Sequence, residues 1–261
     1  MNRYERWNLL LELVAEAGRL DVSDTARKLG VSSATIRRDF DELADQQLLT
    51  RTRGGVIAHS VSYDLPQRYK VAQHAPDNQR IASAAAALVP VGATIGLNGG
   101  TTTTEVARVL ANRPDPPSGR RGPAFTLVTN ALNIAHELAV RPHLHVVTTG
   151  GSAGAESYEL VGPVATGMLA DVALDVAILG VDALDVKHGA SAHGEGEAAV
   201  NRLMATKARQ VIVVADSSKL GRRAFALVCP LNKINILVTD SAAPSELTTR
   251  FADAGLRVIR V

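Results

Sequence analysis

Cysteine is nearly missing from this chain. Cys229 stands alone among 261 residues, so no disulfide can close within it, and a small disulfide-stapled secreted domain is excluded. A reducing compartment fits. No secretory leader shows, because the apolar run after Trp7 is broken by Glu12 and Glu16. Aromatic residues make up only 3% of the chain against 46% hydrophobic residues, so the core has to be built from Ala, Val, Leu and Ile. Neither sign of charge prevails: 28 Lys and Arg meet 26 Asp and Glu, and a net charge of +2 does not by itself imply nucleic acid. Lysine is scarce, six residues against 22 arginines. The longest uncharged stretch, Ile81 to Thr104, is a poor membrane span, since Pro90 and Gly92 split it and polar Asn98 to Thr104 end it. A helix followed by a buried strand explains it better. The expectation is a cytoplasmic protein with no membrane partner, with room for one large domain and one small one.

What is present begins with a short helical unit. Trp7, Leu10, Leu11 and Val14 fall at i, i+3, i+4 and i+7, one face of an amphipathic helix, and Gly18 is its stop. Ser23 is placed to cap a second helix ending near Leu29, with Gly30 as the turn. Ser32 caps a third, whose buried stripe is Ile36, Phe40 and Leu43. The segment "LLTRTRGGVIA" then alternates around Gly54-Gly55, a hairpin signal. Three helices and a hairpin describe a winged helix-turn-helix.

At 100° per residue, Ala34 and Arg38 point away from the Ile36–Phe40 face, flanked by Thr35 and Arg37. One turn later the exposed face turns acidic, with Asp41, Glu42 and Asp45, which phosphates would repel. Only the first two turns, from Ser32 and Ser33 onward, can enter a DNA groove, and recognition helices use their N-terminal residues on base edges. Arg51 and Arg53 on the hairpin add a second basic point. Through Ser60 nine basic residues balance nine acidic ones, so a protein-interaction module fits the same pattern.

From Ala58 to Asp77 the pattern is irregular and includes Pro66 and Pro76, a linker. Beyond it "ATIGL", "FTLVT", "LHVVTT", "VAILGV", "QVIVVAD" and "NILVTD" are apolar runs of strand length. Helical segments near 81–89, 105–110, 132–139, 196–208 and 244–254 lie between some of them. Continuous apolar strands alternating with helices mean a mostly parallel sheet covered on both faces. Ligands in such sheets bind outside the carboxyl ends of the strands. There the chain places Asn98, Gly99, Gly100, Thr101 and Thr102; Thr129 and Asn130; Gly150 and Gly151; Asp182; and Ser217, Ser218 and Lys219. Glycines let an anion approach the backbone, and threonine hydroxyls with helix N-terminal amides can hold a phosphate, to which Lys219 adds a point charge. Neither nucleotide-binding glycine motif is present, so a nucleotide is not the ligand these loops lead one to expect.

The segment "LDVSDTARKLGVSSATIRRDFDELADQQLLTRTRGGV" resembles the N-terminal domain of the DeoR family of bacterial transcription regulators. The V-S-x-x-T-I-R-R-D signature runs from Val31 into Phe40, and the L-x-R-x-x-G-G wing matches at Leu49, Arg51, Gly54 and Gly55. The family usually has His before the two glycines; here it is Arg53. "LNGGTTTTEVA", "LVTNALNIAHEL", "VTTGG", "LVGPVA", "AILGVDAL" and "VIVVADSSKLG" resemble the family's sensor domain, and behind it the ribose-5-phosphate isomerase-like fold. The resemblance implies a regulator of sugar-metabolism genes, most simply a repressor. Its partners would be double-stranded operator DNA, a phosphorylated sugar effector and further copies of the chain in a homo-oligomer, with no cofactor. It implies effector contacts at Asn98, Gly99, Gly100, Thr101, Thr102, Thr129, Asn130, Gly150, Gly151, Asp182 and Lys219. Two departures stand out: the Pro/Gly-rich loop "NRPDPPSGRRGPA", and "HGASAHGEGEAAV" in place of the commoner G-L-T form.

The expected organisation is a winged helix-turn-helix over 3–57, a linker over 58–77 and a Rossmann-like sensor of the isomerase-like type over 78–261. Expected DNA contacts are Ser32, Ser33, Ala34, Thr35, Arg37, Arg38, Arg51 and Arg53. The alternative is a sugar-phosphate isomerase with an appended head, using Asp182, Asp185, Lys187 and Glu195; the residue types are there but the isomerase's glycine-rich spacing is not. "GGSAG" fits a nucleophile elbow at Ser152 only if a helix follows it, and His143 with His145 lack the neighbours of a metal site. A non-enzymatic protein without metal is expected.

Overall fold

The computed structural model describes residues 3–45, 49–58, 75–113, 123–154 and 157–261. The chain divides into two compact units, Met1–His74 and Ala75–Val261. Most of the stretch read as linker, residues 59–74, and most of the Pro/Gly-rich loop, residues 114–122, lie outside the described residues.

The N-terminal unit holds α1 (Arg3–Ala17), β1 (Arg19–Asp21), α2 (Val22–Leu29), α3 (Ser33–Asp45), β2 (Leu49–Thr52) and β3 (Gly55–Ala58). All four residues of the expected α1 stripe are buried, and they pack with Val22, Ala26, Ile36, Phe40, Leu43, Leu49 and Val56 into one core. Two local details differ from the sequence reading. The cap of α2 is Asp21, whose carboxylate accepts from the N–H of Ser23 at 2.7 Å; Ser23 is already inside the helix. The hairpin is also not alone, since β1 pairs antiparallel with β3 and the strands run β1-β3-β2. That third strand explains the double glycine. Gly54 takes φ 93 in the two-residue turn. A Cβ on Gly55 would lie 2.0 Å from the Leu20 carbonyl oxygen, so only glycine lets β1 come this close.

The second unit is built on a seven-stranded sheet, all parallel among the described residues: β4 (Thr94–Leu97), β5 (Phe125–Thr129), β6 (Leu144–Thr148), β9 (Leu174–Gly180), β12 (Ala208–Val214), β14 (Ile236–Thr239) and β15 (Arg257–Arg260). The spatial order is β15-β14-β12-β9-β4-β5-β6. Its strands are apolar on both faces because both are covered. Leu174, Ala177, Leu179, Val211 and Val213 enter one core, while Val176, Ile178, Ile212 and Val214 enter the other. Helices α4 (Ala75–Ala87) and α5 (Thr101–Ala111) pack on each other and supply apolar residues to the second core. Helices α7 (Pro163–Ala170) and α8 (Glu195–Lys207) do the same for the first core; between the two pairs comes α6 (Leu132–Leu138), and α9 (Ser245–Asp253) precedes β15.

From β4 the chain winds outward through β5 to β6, then returns to the other side of β4 for β9 and winds outward through β12, β14 and β15. The direction of winding therefore reverses between β4 and β9. In open parallel sheets that reversal opens the crevice where ligands bind. Two features carry no signal in the sequence: the short hairpin β7 (Ser152–Ala153) with β8 (Leu160–Val161), and the small antiparallel sheet of β10 (Ala183–Asp185), β11 (Gly189–Ala192) and β13 (Ala226–Cys229). Cys229 is buried there, and burial pushes its thiol up to about 11. Among the described residues no helix is long and apolar enough to cross a membrane.

Candidate functional site

In the N-terminal unit the first turns of α3 are held from below. Ser32 caps the helix, its Oγ accepting the N–H of Thr35 at 3.1 Å and meeting the Thr35 hydroxyl at 2.8 Å. Ala34, Arg37 and Arg38 are exposed, and Ser33 and Thr35 partly so, as the helical projection requires. Arg37, Arg38 and Arg53 make no ion pair among the described residues. Arg51 differs: it pairs with Asp41 at 2.9 Å, reaches the Gly55 carbonyl at 3.4 Å and lies 5.9 Å from the centroid of the Phe40 ring. Arg51 is thus anchored to α3 through Asp41 and Phe40 while remaining exposed, and Arg53 at the turn tip is exposed as well.

The pair Arg37-Arg38 is followed by Asp39, to which the sequence pattern assigns no role of its own. Asp39 is 4% exposed and accepts from Arg6 at 2.5 and 3.0 Å and from the Trp7 indole at 2.9 Å. It ties α1 to α3. A projection would have found it, since Asp39 lies about 60° from Ile36 on the core side.

In the second unit the expected residues gather at the carboxyl ends of the strands, and most of their side chains are already engaged. Asn98 spans the β4/β9 reversal, donating to the Gly180 carbonyl at 2.9 Å and accepting the Gly180 N–H at 2.8 Å. The Thr102 hydroxyl donates to Asn78 Oδ1 at 2.9 Å, and Asn78 Nδ2 reaches the Thr101 hydroxyl at 3.4 Å. Thr103 and Thr104 turn their hydroxyls back to the Gly100 carbonyl, at 3.1 and 2.7 Å. Thr129 uses its hydroxyl to accept the Ala131 N–H at 3.0 Å. The threonines thus shape the loop. What the loop presents outward is backbone: α5 begins at Thr101, and the amides of Gly100 to Thr103 have no hydrogen-bond partner among the described residues. A helix N-terminus with open amides at a switch point is suited to an anion.

The remaining expected residues flank this centre. Gly150 and Gly151 follow β6, and Lys219 lies in the turn after β12, each beyond one intervening strand from β4, roughly 10 Å across the sheet. Lys219 is half-buried, and Leu220 bridges to Leu184, which draws this turn toward the segment after β9. Asp182 accepts the His193 N–H at 2.8 Å. The candidate isomerase carboxylate Asp185 is taken up by the β10–β11 turn, accepting from the N–H groups of Lys187 and His188. Ser152 opens a strand rather than a helix, so it is no nucleophile elbow.

The residue missed altogether is Glu159. It is 4% exposed and lies against the loop: a Cβ on Gly99 would sit 2.5 Å from its Cγ and Oε1. Its carboxyl accepts from Asn130 Nδ2 at 2.8 Å and from the Gly99 N–H. So the two glycines have separate jobs: Gly99 makes room for Glu159, and Gly100 adopts φ 139 ahead of the helix. Burial, reinforced by the charges of Glu197 and Asp182, pushes Glu159 up from its ordinary value of 4.5 to about 8. A carboxyl raised on folding stabilises the fold fully below its unfolded pKa and loses that contribution as pH climbs toward the folded one. The stability of this unit is therefore expected to fall between about pH 5 and pH 8, and Glu159→Gln to flatten that slope. Urea unfolding of both proteins across the range measures it; parallel slopes would refute the assignment to Glu159.

The comparisons with known proteins fit both halves. The DeoR-like helix-turn-helix domain matches residues 6–61 and the DeoR C terminal sensor domain matches residues 73–241. The HTH-type transcriptional regulator GlpR of Haloferax volcanii is 34% identical over 98% of this chain and 96% of its own length. A putative aga operon transcriptional repressor of Escherichia coli O157:H7 is 30% identical over 98% and 93%. The glycerol-3-phosphate regulon repressor of Escherichia coli K12 is 29% identical over 94% and 93%. Among solved structures, ribose 5-phosphate isomerase A from Methanocaldococcus jannaschii aligns with 57% of this chain and 55% of that one, at 21% identity and a TM-score of 0.41. The sequence relatives are transcriptional regulators, not enzymes, which sets the isomerase alternative aside. With its two halves matched by the two domains of one family, and a relative 34% identical along nearly its whole length, the chain belongs to the DeoR family of transcriptional regulators.

Proposed function

We propose that this regulator represses genes of sugar metabolism and that a phosphorylated sugar, bound at the strand-end rim, releases it from operator DNA. The observation that carries the reading is the set of open amides at Gly100–Thr103, at the β4/β9 reversal, in a domain of the sensor family. The names of its relatives support it: two are repressors, one of a glycerol-3-phosphate regulon. In this reading the head spans 3–57, a linker 58–77 and the sensor 78–261, and the protein works in the cytoplasm as a dimer or higher oligomer. The effector acts through its differential affinity for two arrangements of the paired heads, only one of which fits the half-site spacing. The recognition residues are Ser32 to Thr35, Arg37 and Arg38, with the wing adding Arg53 and Arg51, the latter held in place by Asp41.

Fluorescence anisotropy with the DNA upstream of this gene tests the reading, at two salt concentrations and with a panel of sugar phosphates. Arg38→Ala is expected to weaken specific binding by about 1–3 kcal/mol and to leave sugar-phosphate binding intact. Lys219→Ala is expected to leave DNA binding intact and to raise the effector concentration needed for release by about tenfold or more, the worth of one charge-assisted hydrogen bond. Release at the wild-type concentration would mean that Lys219 is not in the site. Weak, steeply salt-dependent binding that no sugar phosphate changes would defeat the function itself.

A further inference from the structure

We propose that Asn130, Asp182 and Glu197, set beside the buried carboxyl of Glu159, form a wall of hydrogen-bond acceptors that reads the hydroxyl groups of the effector, so that the rim selects phosphorylated polyols over phosphorylated acids. The inference rests on the reading that the amides of Gly100–Thr103 hold a phosphate, and concerns the other end of the same ligand.

Donors and acceptors are segregated on this rim. The start of α5 presents N–H groups. Across from it Asn130 is wholly buried, with Nδ2 committed to Glu159 Oε2 at 2.8 Å and to the Leu160 carbonyl at 3.4 Å. Its Oδ1, on the same amide beside the carboxyl, has no hydrogen-bond partner among the described residues. A buried acceptor left unpaired costs about 1–3 kcal/mol, so a donor from a ligand has something to gain there. Glu159 is oriented by Asn130 and by the Gly99 N–H, and Glu197 and Asp182 stand near enough for their charges to act on it. Glu197 comes from the first turn of α8 and folds back over Gly194, while Asp182 is steadied through Oδ2 by the His193 N–H. Neither Asp182 nor Glu197 has an Arg or Lys ion-pair partner among the described residues. Hydroxyl groups can donate to such a wall. A ligand carboxylate would bring one more negative charge against it, a like-charge contact that costs several kcal/mol.

Matched pairs test this by titration calorimetry on the full chain: glycerol 3-phosphate against 3-phosphoglycerate, and sorbitol 6-phosphate against 6-phosphogluconate. Each pair shares its phosphate and carbon number and differs in whether one end is an alcohol or an acid. At the chain length that binds, the alcohol is expected to be favoured by about 100-fold. Asp182→Asn with Glu197→Gln, checked by circular dichroism for an intact fold, is expected to shrink that preference to about tenfold or less. Equal binding of acid and alcohol by the wild type, or a preference unmoved by the double substitution, overturns the acceptor wall. Binding of inorganic phosphate that no added polyol improves also overturns it, yet leaves the phosphate site standing. Failure of every phosphorylated compound, inorganic phosphate included, removes both.

Discussion

Asp39→Ala is expected to unfold the N-terminal unit at room temperature and to abolish binding to every DNA sequence, with the sensor unit left folded. The carboxylate takes three hydrogen bonds from Arg6 and Trp7, and the side chains of Asp39 and Arg6 are 5% and 13% exposed. Removing one partner of a buried pair costs about 3–5 kcal/mol, because the other charge stays buried and unpaired. Here the Trp7 indole N–H loses its acceptor as well. A core as small as this apolar cluster, eleven buried residues among those described, rarely supplies more than about 3–5 kcal/mol in total, so one substitution can consume all of it. Asp39→Asn keeps a neutral acceptor and should fall between wild type and Asp39→Ala. The chain has a single tryptophan, so Trp7 fluorescence in a urea titration reports this unit alone, while far-UV circular dichroism follows both. A wild-type midpoint by tryptophan fluorescence in Asp39→Ala would show that the pair contributes nothing to the fold.

Gly99→Ala is expected to remove the response to effector and to leave effector-free DNA binding unchanged. The new Cβ would stand 2.5 Å from two atoms of Glu159. Glu159 cannot swing away cheaply, since it is buried and held by Asn130. Either the carboxyl loses Asn130 or the loop that presents the Gly100–Thr103 amides shifts, and overpacking of this kind costs about 1–3 kcal/mol. Gly167→Ala is the control. Gly167 lies inside α7 with nothing within 4 Å of its added Cβ, so alanine there should stabilise the sensor by about 0.5–1 kcal/mol and leave the response alone. Thermal unfolding together with effector titration of the DNA complex measures both variants. A Gly99→Ala protein that still responds at the wild-type effector concentration would show that the loop does not hold the effector.

The elements that could be read from the sequence were those with a strong period. The i, i+3, i+4, i+7 stripe of α1 is buried where expected, and so is the stripe of Ile36, Phe40 and Leu43. The long apolar runs became neighbouring parallel strands. Short strands escaped because two to four residues carry no period: β1, β7, β8, β10, β11 and β13 exist through their partners. In the candidate site the loop itself was legible, as glycines and threonines between a strand and a helix. Its logic was not. The hydroxyls of Thr102, Thr103 and Thr104 also hold the loop together, which the sequence does not show, and Glu159 sits in "ESYELVGP", a stretch without helical or strand period.

By itself, then, the sequence determined the kinds of element, their order and the strand ends where polar residues collect, because hydrophobic period and turn chemistry are local properties of a chain. Only the tertiary structure decided which polar groups are spent and which remain open. A hydrogen bond needs a partner in space: Arg6 finds Asp39 across 33 positions, Asn130 finds Glu159 across 29, and Asn98 finds Gly180 across 82. Those pairings engage Asn98 and the Asn130 amide nitrogen within the protein and leave the amides at Gly100–Thr103 and the oxygen of Asn130 without a protein partner among the described residues.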